Sequence, residues 1–501
     1  MNGPQPAPPP TPPGTPGTVR RRFRLDPAVR RLDHDRVLLG GSPLRLVRLT
    51  PGGARLIADI AADQPVDVAP RTAEVLDGLV DKGVLHPVWT VGPWRADAVT
   101  VVIPVRDRPG GLAATLDRLG DLGQPLAGVI VVDDGSLDAD AHRRVAAERG
   151  ARLVRSTTSE GPGGARNRGL ALVSSPVVAF VDAGCRPTPG WLDTLLPHFA
   201  DPAVALVAPR ITGDPPEGTD ATAQPGGGRR SRLARYESAG SALDRGGAAG
   251  PIRPRSRVSF VPAATLVVRT DVTRAVGGFD PSMAVGEDVD LVWRLVEAGH
   301  RARYEPAARV EHDHPTTVGR WARRRYDYGT SAAPLARRHP GQLAPLGISG
   351  WSGAVWALVV GGQPAAAGAV AAGTAAAMTA KLSSLEHPAA EAVRLVGAGH
   401  LGAGRVLAAA LIRPWWPLTA AAALVSRRAR VVAAAALVVP ALLDWRERRP
   451  DLDPGTWTLL RAVDDLAYSS GVWVGCVAAA EFGPLRPTFA SWPGRTPPDR
   501  V

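Results

Sequence analysis

Val129-Ile130-Val131-Val132-Asp133-Asp134-Gly135-Ser136 is the stretch whose reading decides the fold. A run of β-branched apolar residues predicts a strand buried on both faces, and it stops abruptly at two carboxylates and a Gly-Ser turn. Ligands of open α/β sheets bind at the carboxyl ends of the strands. Asp133 and Asp134 are therefore expected at the mouth of a crevice, where a carboxylate accepts hydrogen bonds from a base or ribose, or holds a metal. An Asx-type turn that merely closes the strand explains these eight residues equally well, so the neighbouring segments decide.

Upstream, Val99 to Pro104 predicts a first buried strand ending in Val105-Arg106-Asp107-Arg108, and Leu112, Leu116, Leu119 and Leu122 have helical spacing. Downstream come a helix over about 138–149, a strand at Arg152 to Arg155, and the loop Gly161-Pro162-Gly163-Gly164 leading into Ala165-Arg166-Asn167-Arg168-Gly169. This alternation predicts a doubly wound, mostly parallel sheet. It carries no G-x-G-x-x-G dinucleotide fingerprint. Arg166 offers a rigid fork able to clamp a carboxylate or phosphate, and Asn167 is one of only two asparagines, with Asn2, so composition does not account for it.

A third carboxylate follows the next strand: Pro176 to Val181 runs into Asp182-Ala183-Gly184-Cys185. A cation bridging two phosphates needs hard oxygen ligands, and Asp182 supplies one. After Trp191 to Phe199 and a strand from Val204 to Pro209, Gly213 to Arg230 is expected to be a mobile insertion; Val261 to Arg269 is strand-like again. In Gly286-Glu287-Asp288-Val289-Asp290-Leu291-Val292-Trp293-Arg294-Leu295 the first two acids fall at or near a helix N-terminus, where the dipole favours them and where capping alone is reason enough for their presence. Arg303 to Pro306 and Val310-Glu311-His312-Asp313-His314 predict a final strand and a His-rich turn, which places His312 beside the suspected metal site.

P-V-R-D-R, V-V-D-D-G-S, G-P-G-G-A-R-N-R-G, F-V-D-A-G and G-E-D-V-D-L-V-W-R-L, in this order over roughly residues 99–314, resemble family 2 glycosyltransferases of the GT-A fold. The resemblance implies that Pro104, Arg106, Asp107, Asp133, Asp134, Arg166, Asn167 and Asp182 bind the nucleotide-sugar. It further implies that Asp288, with Glu287, is the catalytic base of an inverting transfer, and that Trp293 and Arg294 lie on the acceptor side. Asp182 and His312 are the implied ligands of a divalent Mn²⁺ or Mg²⁺. One departure matters: the family's D-x-D has Gly184 in its second acidic position here, which puts metal affinity in doubt.

The chain is long enough, at 501 residues, for about three units. Residues 1–22 read as a disordered Pro-rich tail. Residues 23–95 read as a winged-helix-like module, with short strands at Val37 to Gly41 and Leu44 to Leu49, a helix capped by Thr50, and a second helix at Arg71 to Lys82 closed by Gly83. The module resembles peptide-recognition domains of ribosomal-peptide maturation; a docking cap with no partner of its own remains the alternative. Residues 97–335 form the expected GT-A domain, 340–480 an Ala-rich apolar helical region, and 481–501 a tail. The layout as a whole resembles the glycosyltransferases of the mycofactocin system. That implies transfer of glucose from UDP-glucose to a peptide-derived redox cofactor, with a precursor peptide as a further partner. A cell-envelope transferase with a lipid-linked acceptor and a non-catalytic peptide-binding scaffold are the alternatives.

The net charge of +12 first suggests nucleic acid or anionic lipid. However, Lys82 and Lys381 are the only lysines among 59 basic residues, a compositional bias that weakens the inference, and no basic stripe is interleaved with aromatics, so nucleic acid is not an expected partner. Two distant cysteines, Cys185 and Cys476, fit a reducing compartment, and no apolar signal region opens the chain. The uncharged run from Pro340 to Ala380 has the length of a membrane span, but Ala and Gly dominate it and Pro345 and Pro364 interrupt it; Pro414 to Ser426 and Val431 to Leu443 are short and flanked on both sides by arginine. The expectation is helices lying on the cytoplasmic face of the membrane, with one true span or a buried helical domain as alternatives.

Overall fold

The computed structural model describes residues 19–213, 231–313 and 317–490. Most of the expected Pro-rich tail, the expected insertion from residue 214 to 230 and His314 lie outside the described residues.

The N-terminal module contains β1 (Val19–Leu25), β2 (Arg30–Leu32), β3 (Val37–Gly40), β4 (Arg45–Arg48), α1 (Pro51–Ala61), β5 (Val66–Val68), α2 (Pro70–Asp81) and β6 (Leu85–Val88). Two three-stranded sheets, β5-β1-β6 and β2-β3-β4, enclose Phe23, Leu38, Ile57, Leu76 and Leu85. Thr50 caps α1 by accepting from the Gly53 amide at 3.2 Å. Residues 19–22 are strand rather than tail, because Val19 to Arg21 pair with Val68 to Val66 and Arg22 pairs with Val88. Arginine at four of the seven β1 positions hid this from hydrophobic patterning.

The central domain follows with β7 (Val99–Val105), α3 (Pro109–Asp121), β8 (Gly128–Asp134), α4 (Ala139–Glu148), β9 (Arg152–Ser156), α5 (Gly161–Ala171), β10 (Val177–Val181), β11 (Cys185–Pro187) and α6 (Trp191–Leu195). It continues through β12 (Val204–Thr212), α7 (Arg232–Gly240), β13 (Gly250–Pro251), β14 (Thr265–Arg269), α8 (Thr270–Ala275), α9 (Glu287–Glu297) and β15 (Arg301–His312). The sheet runs β11-β15-β12-β14-β10-β7-β8-β9, with β13 pairing β15. Strands β10, β7, β8 and β9 are parallel, and so are β12 and β15, while β14 runs against both of its neighbours. Alternate residues of each central strand enter separate cores: Ile103, Val131 and Val181 meet Trp191 on one face, and Val102, Val132 and Phe180 meet Leu291 and Trp293 on the other.

Two expectations are corrected here. The glycine stretch 161–164 is the first turn of α5, not a loop, because the Asp134 carboxylate accepts from the Glu160 and Gly161 amides at 2.7 and 3.0 Å and starts the helix. The last strand is continuous through Pro306; its register against β12 shifts between Pro209 and Arg210 and so absorbs the missing N–H.

The C-terminal region adds α10 (Val318–Thr330), α11 (Ala332–Arg338), β16 (Gly347–Ser349), α12 (Gly350–Val360), α13 (Pro364–Lys381), α14 (Pro388–Ile412), α15 (Trp416–Val425), α16 (Arg427–Arg448), α17 (Pro454–Ala479) and β17 (Thr488–Ala490). α17 packs along α10, and Trp321, Trp457 and Tyr236 fill the seam. β17 lies in the expected tail yet pairs with β16. The uncharged 340–380 stretch is broken after Val360, so it offers no single span. Among the described residues the one helix long and apolar enough to cross a membrane is α14, with 25 residues. Arg30 holds Glu391 of α14 with two bonds of 2.5 and 2.7 Å, tying the N-terminal module to this region.

Candidate active site

The carboxyl ends of β7, β8 and β10 open on one side of the sheet, and the loops there are tied to one another. Asp133 is fully buried; it accepts from Arg155 Nη1 at 2.6 Å and from the Ser136 amide at 3.0 Å. Asp134 accepts from Ser159 Oγ at 2.7 Å besides capping α5. The Asx turn and the strand-end placement are thus both realised. Asp107 accepts from the Leu137 amide at 2.8 Å while its own amide donates to Ser136 Oγ at 2.9 Å, locking the β7 turn onto the β8 turn. Pro104 lies one residue inside, opposite Val132. Arg106 is more than half exposed and donates to Ser159 Oγ at 3.0 Å, so its guanidinium faces the opening.

Arg166 is the hub. It is buried, donating through Nη1 to Glu287 Oε1 at 2.6 Å and through Nη2 to Asp182 Oδ1 at 2.7 Å, and its guanidinium lies 5.2 Å from the Phe279 ring centroid. Its fork therefore joins the F-V-D and G-E-D motifs rather than standing free for a ligand. Neighbouring acids hold its charge firmly despite burial. Asn167 also has an internal job: its Nδ2 donates to the Phe279 carbonyl at 2.6 Å and its Oδ1 accepts from the Phe279 amide at 2.8 Å, fixing the turn before α9.

That turn ends at Gly286, which has φ of +85° and where a Cβ would come within 2.9 Å of Ser331 Cβ. Only glycine suits the position on both counts. Glu287 and Asp288 begin α9. Asp288 is half-buried; its Oδ2 accepts from the Ala263 amide at 2.9 Å and its Oδ1 from the Val289 amide at 2.8 Å. Burial, reinforced by the Asp288 charge, pushes the Glu287 carboxyl up to about 7. Burial raises Asp288 as well, against the pull of the Ala263 amide and Arg166. Burial thus favours keeping a proton on the Glu287–Asp288 pair.

Asp182 is partly exposed, and its Oδ2 has no partner among the described residues. Gly184, with φ of +97°, leaves room where a Cβ would lie 3.0 Å from Arg108 Nη2 and 3.1 Å from Asp313 Oδ2. Asp313 in turn accepts from Arg186 Nη1 at 2.6 Å. The position that carries the second acid of D-x-D is thus filled by an Arg108–Asp313–Arg186 cluster. His312 is buried on β15 opposite Cys185, beside this turn. Among the described residues no three His, Cys, Asp or Glu side chains form a metal-binding group. The free Asp182 oxygen fits a cation that takes most of its ligands from a bound diphosphate, which is how Mg²⁺ is commonly held, and not a protein-only cage.

The acceptor-side expectation is corrected. Trp293 is 4% exposed with its indole N–H donated to the Ser259 carbonyl at 2.8 Å, and the Arg294 nitrogens are engaged by Asp290 and the Val276 and Gly278 carbonyls. Both brace α9 from behind, because helical periodicity puts them on the face opposite the opening. Sequence patterning missed Arg155, Arg108, Arg186 and Asp313. Only the strand-end position of Arg155, register partner of Asp133, offered a signal.

The match of the glycosyl transferase family 2 model to residues 100–251, and of the glycosyl transferase family group 2 model to residues 177–426, covers these strand ends and their surroundings. The chain belongs to glycosyl transferase family 2, and its central domain has the GT-A fold. Over 93% of its length it is 41% identical to the pre-mycofactocin glycosyltransferase of Mycobacterium tuberculosis, of which 97% is covered. It is 26% identical to glycosyltransferase AglE of Haloferax volcanii, covering 40% of this chain and 62% of that protein. Among solved structures it resembles a mannosyltransferase from Pyrobaculum calidifontis in complex with GDP-Man and Mn²⁺, with 19% identity, a TM-score of 0.42, and coverage of 77% of this chain and 91% of that one.

Proposed function

We propose that this glycosyltransferase moves a hexose, glucose in the first instance, from a UDP-sugar to a hydroxyl of a peptide-derived acceptor of the mycofactocin kind, with inversion at the anomeric carbon. The observation that carries the proposal is Asp288: a half-buried carboxylate at the start of α9, oriented by two backbone amides, beside the Glu287–Arg166–Asp182 chain. Asp288 accepts the proton of the acceptor hydroxyl as the new C–O bond forms on one face of the sugar and the bond to the UDP oxygen breaks on the other. Glu287 and Arg166 hold Asp288 and Asp182 in one frame. The β7 and β8 turns, with Arg106 exposed between them, receive the nucleotide. Asp182 would hold a Mn²⁺ or Mg²⁺ ion, which offsets charge on the departing diphosphate.

The similarity to a pre-mycofactocin glycosyltransferase along nearly the whole chain supports the acceptor class. The N-terminal module, on this account, engages a precursor peptide or docks the enzyme on a partner. The C-terminal helices rest on the cytoplasmic face of the membrane: Leu424 and Val425 are 82% and 87% exposed next to Arg427, Arg428 and Arg430. That exposed apolar tip also favours a second reading, an acceptor carried on lipid.

Mass spectrometry of the premycofactocin acceptor after incubation with the protein, UDP-glucose and Mn²⁺ is the test. Successive hexose additions support the proposal. UDP-glucose turnover without addition to that acceptor transfers the search to lipid-linked hydroxyls.

A further inference from the structure

Away from the crevice, the N-terminal module and the central domain enclose a cleft of about 580 Å³, with walls from β1, α2, the segment after β6, β13 and the start of β15. Its acids are already committed. Asp81 and Asp201 pair with Arg301 at 2.7 and 2.8 Å, and Asp77 lies 3.6 Å from the same guanidinium. Three other arginines line the cleft without a carboxylate partner among the described residues. Arg21 lies 5.7 Å from the Trp89 ring centroid, Arg253 donates to the Ser42 carbonyl at 2.8 Å, and Arg303 contacts only a His86 ring nitrogen at 3.2 Å.

Arg303 is the telling residue. It is 3% exposed, and its Nε has no hydrogen-bond partner. Its His86 contact does not neutralise it: with Asp26 on His86 Nε2 at 3.0 Å, the Nδ1 lone pair is what faces the guanidinium. Burial pulls Arg303 down to about 10. A desolvated guanidinium with no carboxylate in direct contact is costly, and Glu305, Asp201 and Asp81 act on this one only from beyond ion-pair distance. Trp89 Nε1, on the same wall, is also a buried donor with no acceptor. Pro251 is the cross-strand partner of Arg303, which brings Arg253, two residues on, toward the same corner.

We propose that this cleft binds a small organic oxyanion, its carboxylate or phosphate taken by Arg303 and Arg253 and its apolar body laid against Trp89 and Pro251. The guanidinium forks match either oxyanion bidentately, and the cleft has the size of an ordinary small-molecule site. The occupant touches both units and so clamps the module onto the central domain. It also lies against Val296 of α9 and Arg301 to Arg303 of β15, elements whose other ends carry Asp288 and His312.

The experiment is isothermal titration of the full chain, in excess UDP to mask the donor crevice, with phenyl phosphate, benzoate and, as the uncharged control, benzamide. Saturable binding of at least one anion but not of benzamide is expected, weakened at least about tenfold by Arg303→Met and by Arg253→Gln. The preferred anion identifies the oxyanion as phosphate or carboxylate. Should Arg303→Met fail to fold, Arg253→Gln and Trp89→Phe, both at only partly buried positions, give the same readout. No saturable binding, equal binding of benzamide, or affinity unchanged in the cleft variants overturns the proposal.

Discussion

Arg166 and Glu287, 121 positions apart in sequence, meet in a buried 2.6 Å ion pair that ties the start of α9 to the end of β10 through the second bond from Arg166 to Asp182. The pair makes the start of α9, where Asp288 lies, depend on two motifs at once. Removing one partner of such a pair strands a buried charge.

Arg166→Met is accordingly expected to cost about 3–5 kcal/mol of stability, read as a drop in thermal midpoint, and to abolish transfer. Glu287→Gln removes a charge while keeping the shape and a hydrogen bond, so its stability loss should be clearly smaller. Equal losses in the two variants contradict the hub.

The pH profile has a definite sign. A base must be deprotonated, and burial holds both Glu287 and Asp288 above the ordinary carboxylate range, with the Asp288 charge helping to push Glu287 up to about 7. The rate constant kcat/KM should rise with pH on an acid limb near neutrality that belongs to the pair rather than to one residue. Glu287→Gln, by deleting the neighbouring charge, should shift that limb to lower pH. A limb in the normal range around pH 4 would show that no raised carboxylate limits the reaction.

Gly286→Ala places a Cβ at φ +85° and 2.9 Å from Ser331 Cβ. The left-handed conformation alone costs about 1–2 kcal/mol, and the contact must also push α11 or α9. A lowered thermal midpoint with a disproportionate fall in kcat is expected, since Asp288 sits two residues on. Kinetics like those of the parent protein would show that the turn does not position the base.

The exposed tip at Leu424 and Val425 predicts flotation with vesicles containing anionic lipid. Leu424→Asp with Val425→Asp should release the protein, while transfer to a soluble acceptor continues. Binding undiminished by the double substitution places the membrane contact elsewhere.

Much of this was legible in the chain. Apolar runs ending in Asp133 and Asp182 announced the sheet, and the structure has both carboxylates at the carboxyl ends of parallel strands, because runs without polar alternation suit strands buried on both faces. What eluded the sequence was how the side chains are spent. Arg166 and Asn167 stand in a motif that suggests ligand contact, yet their partners, Glu287, Asp182 and Phe279, come from segments that only folding brings near. Trp293 and Arg294 were misplaced because a helix N-terminus shares its motif with residues on the opposite face. The break in the 340–380 stretch was legible from its prolines: α12 ends at Val360 and the next helix starts at Pro364, one of the two residues expected to interrupt a span.

The most direct test of the central claim is Asp288→Asn, assayed for hexose transfer and for UDP-sugar binding on the same preparation. The account predicts transfer reduced by about 10²–10⁴-fold, the usual contribution of a general base, with UDP-sugar affinity and thermal midpoint close to those of the parent protein. Transfer retained at the parent rate would remove Asp288 as the base and with it the proposed mechanism.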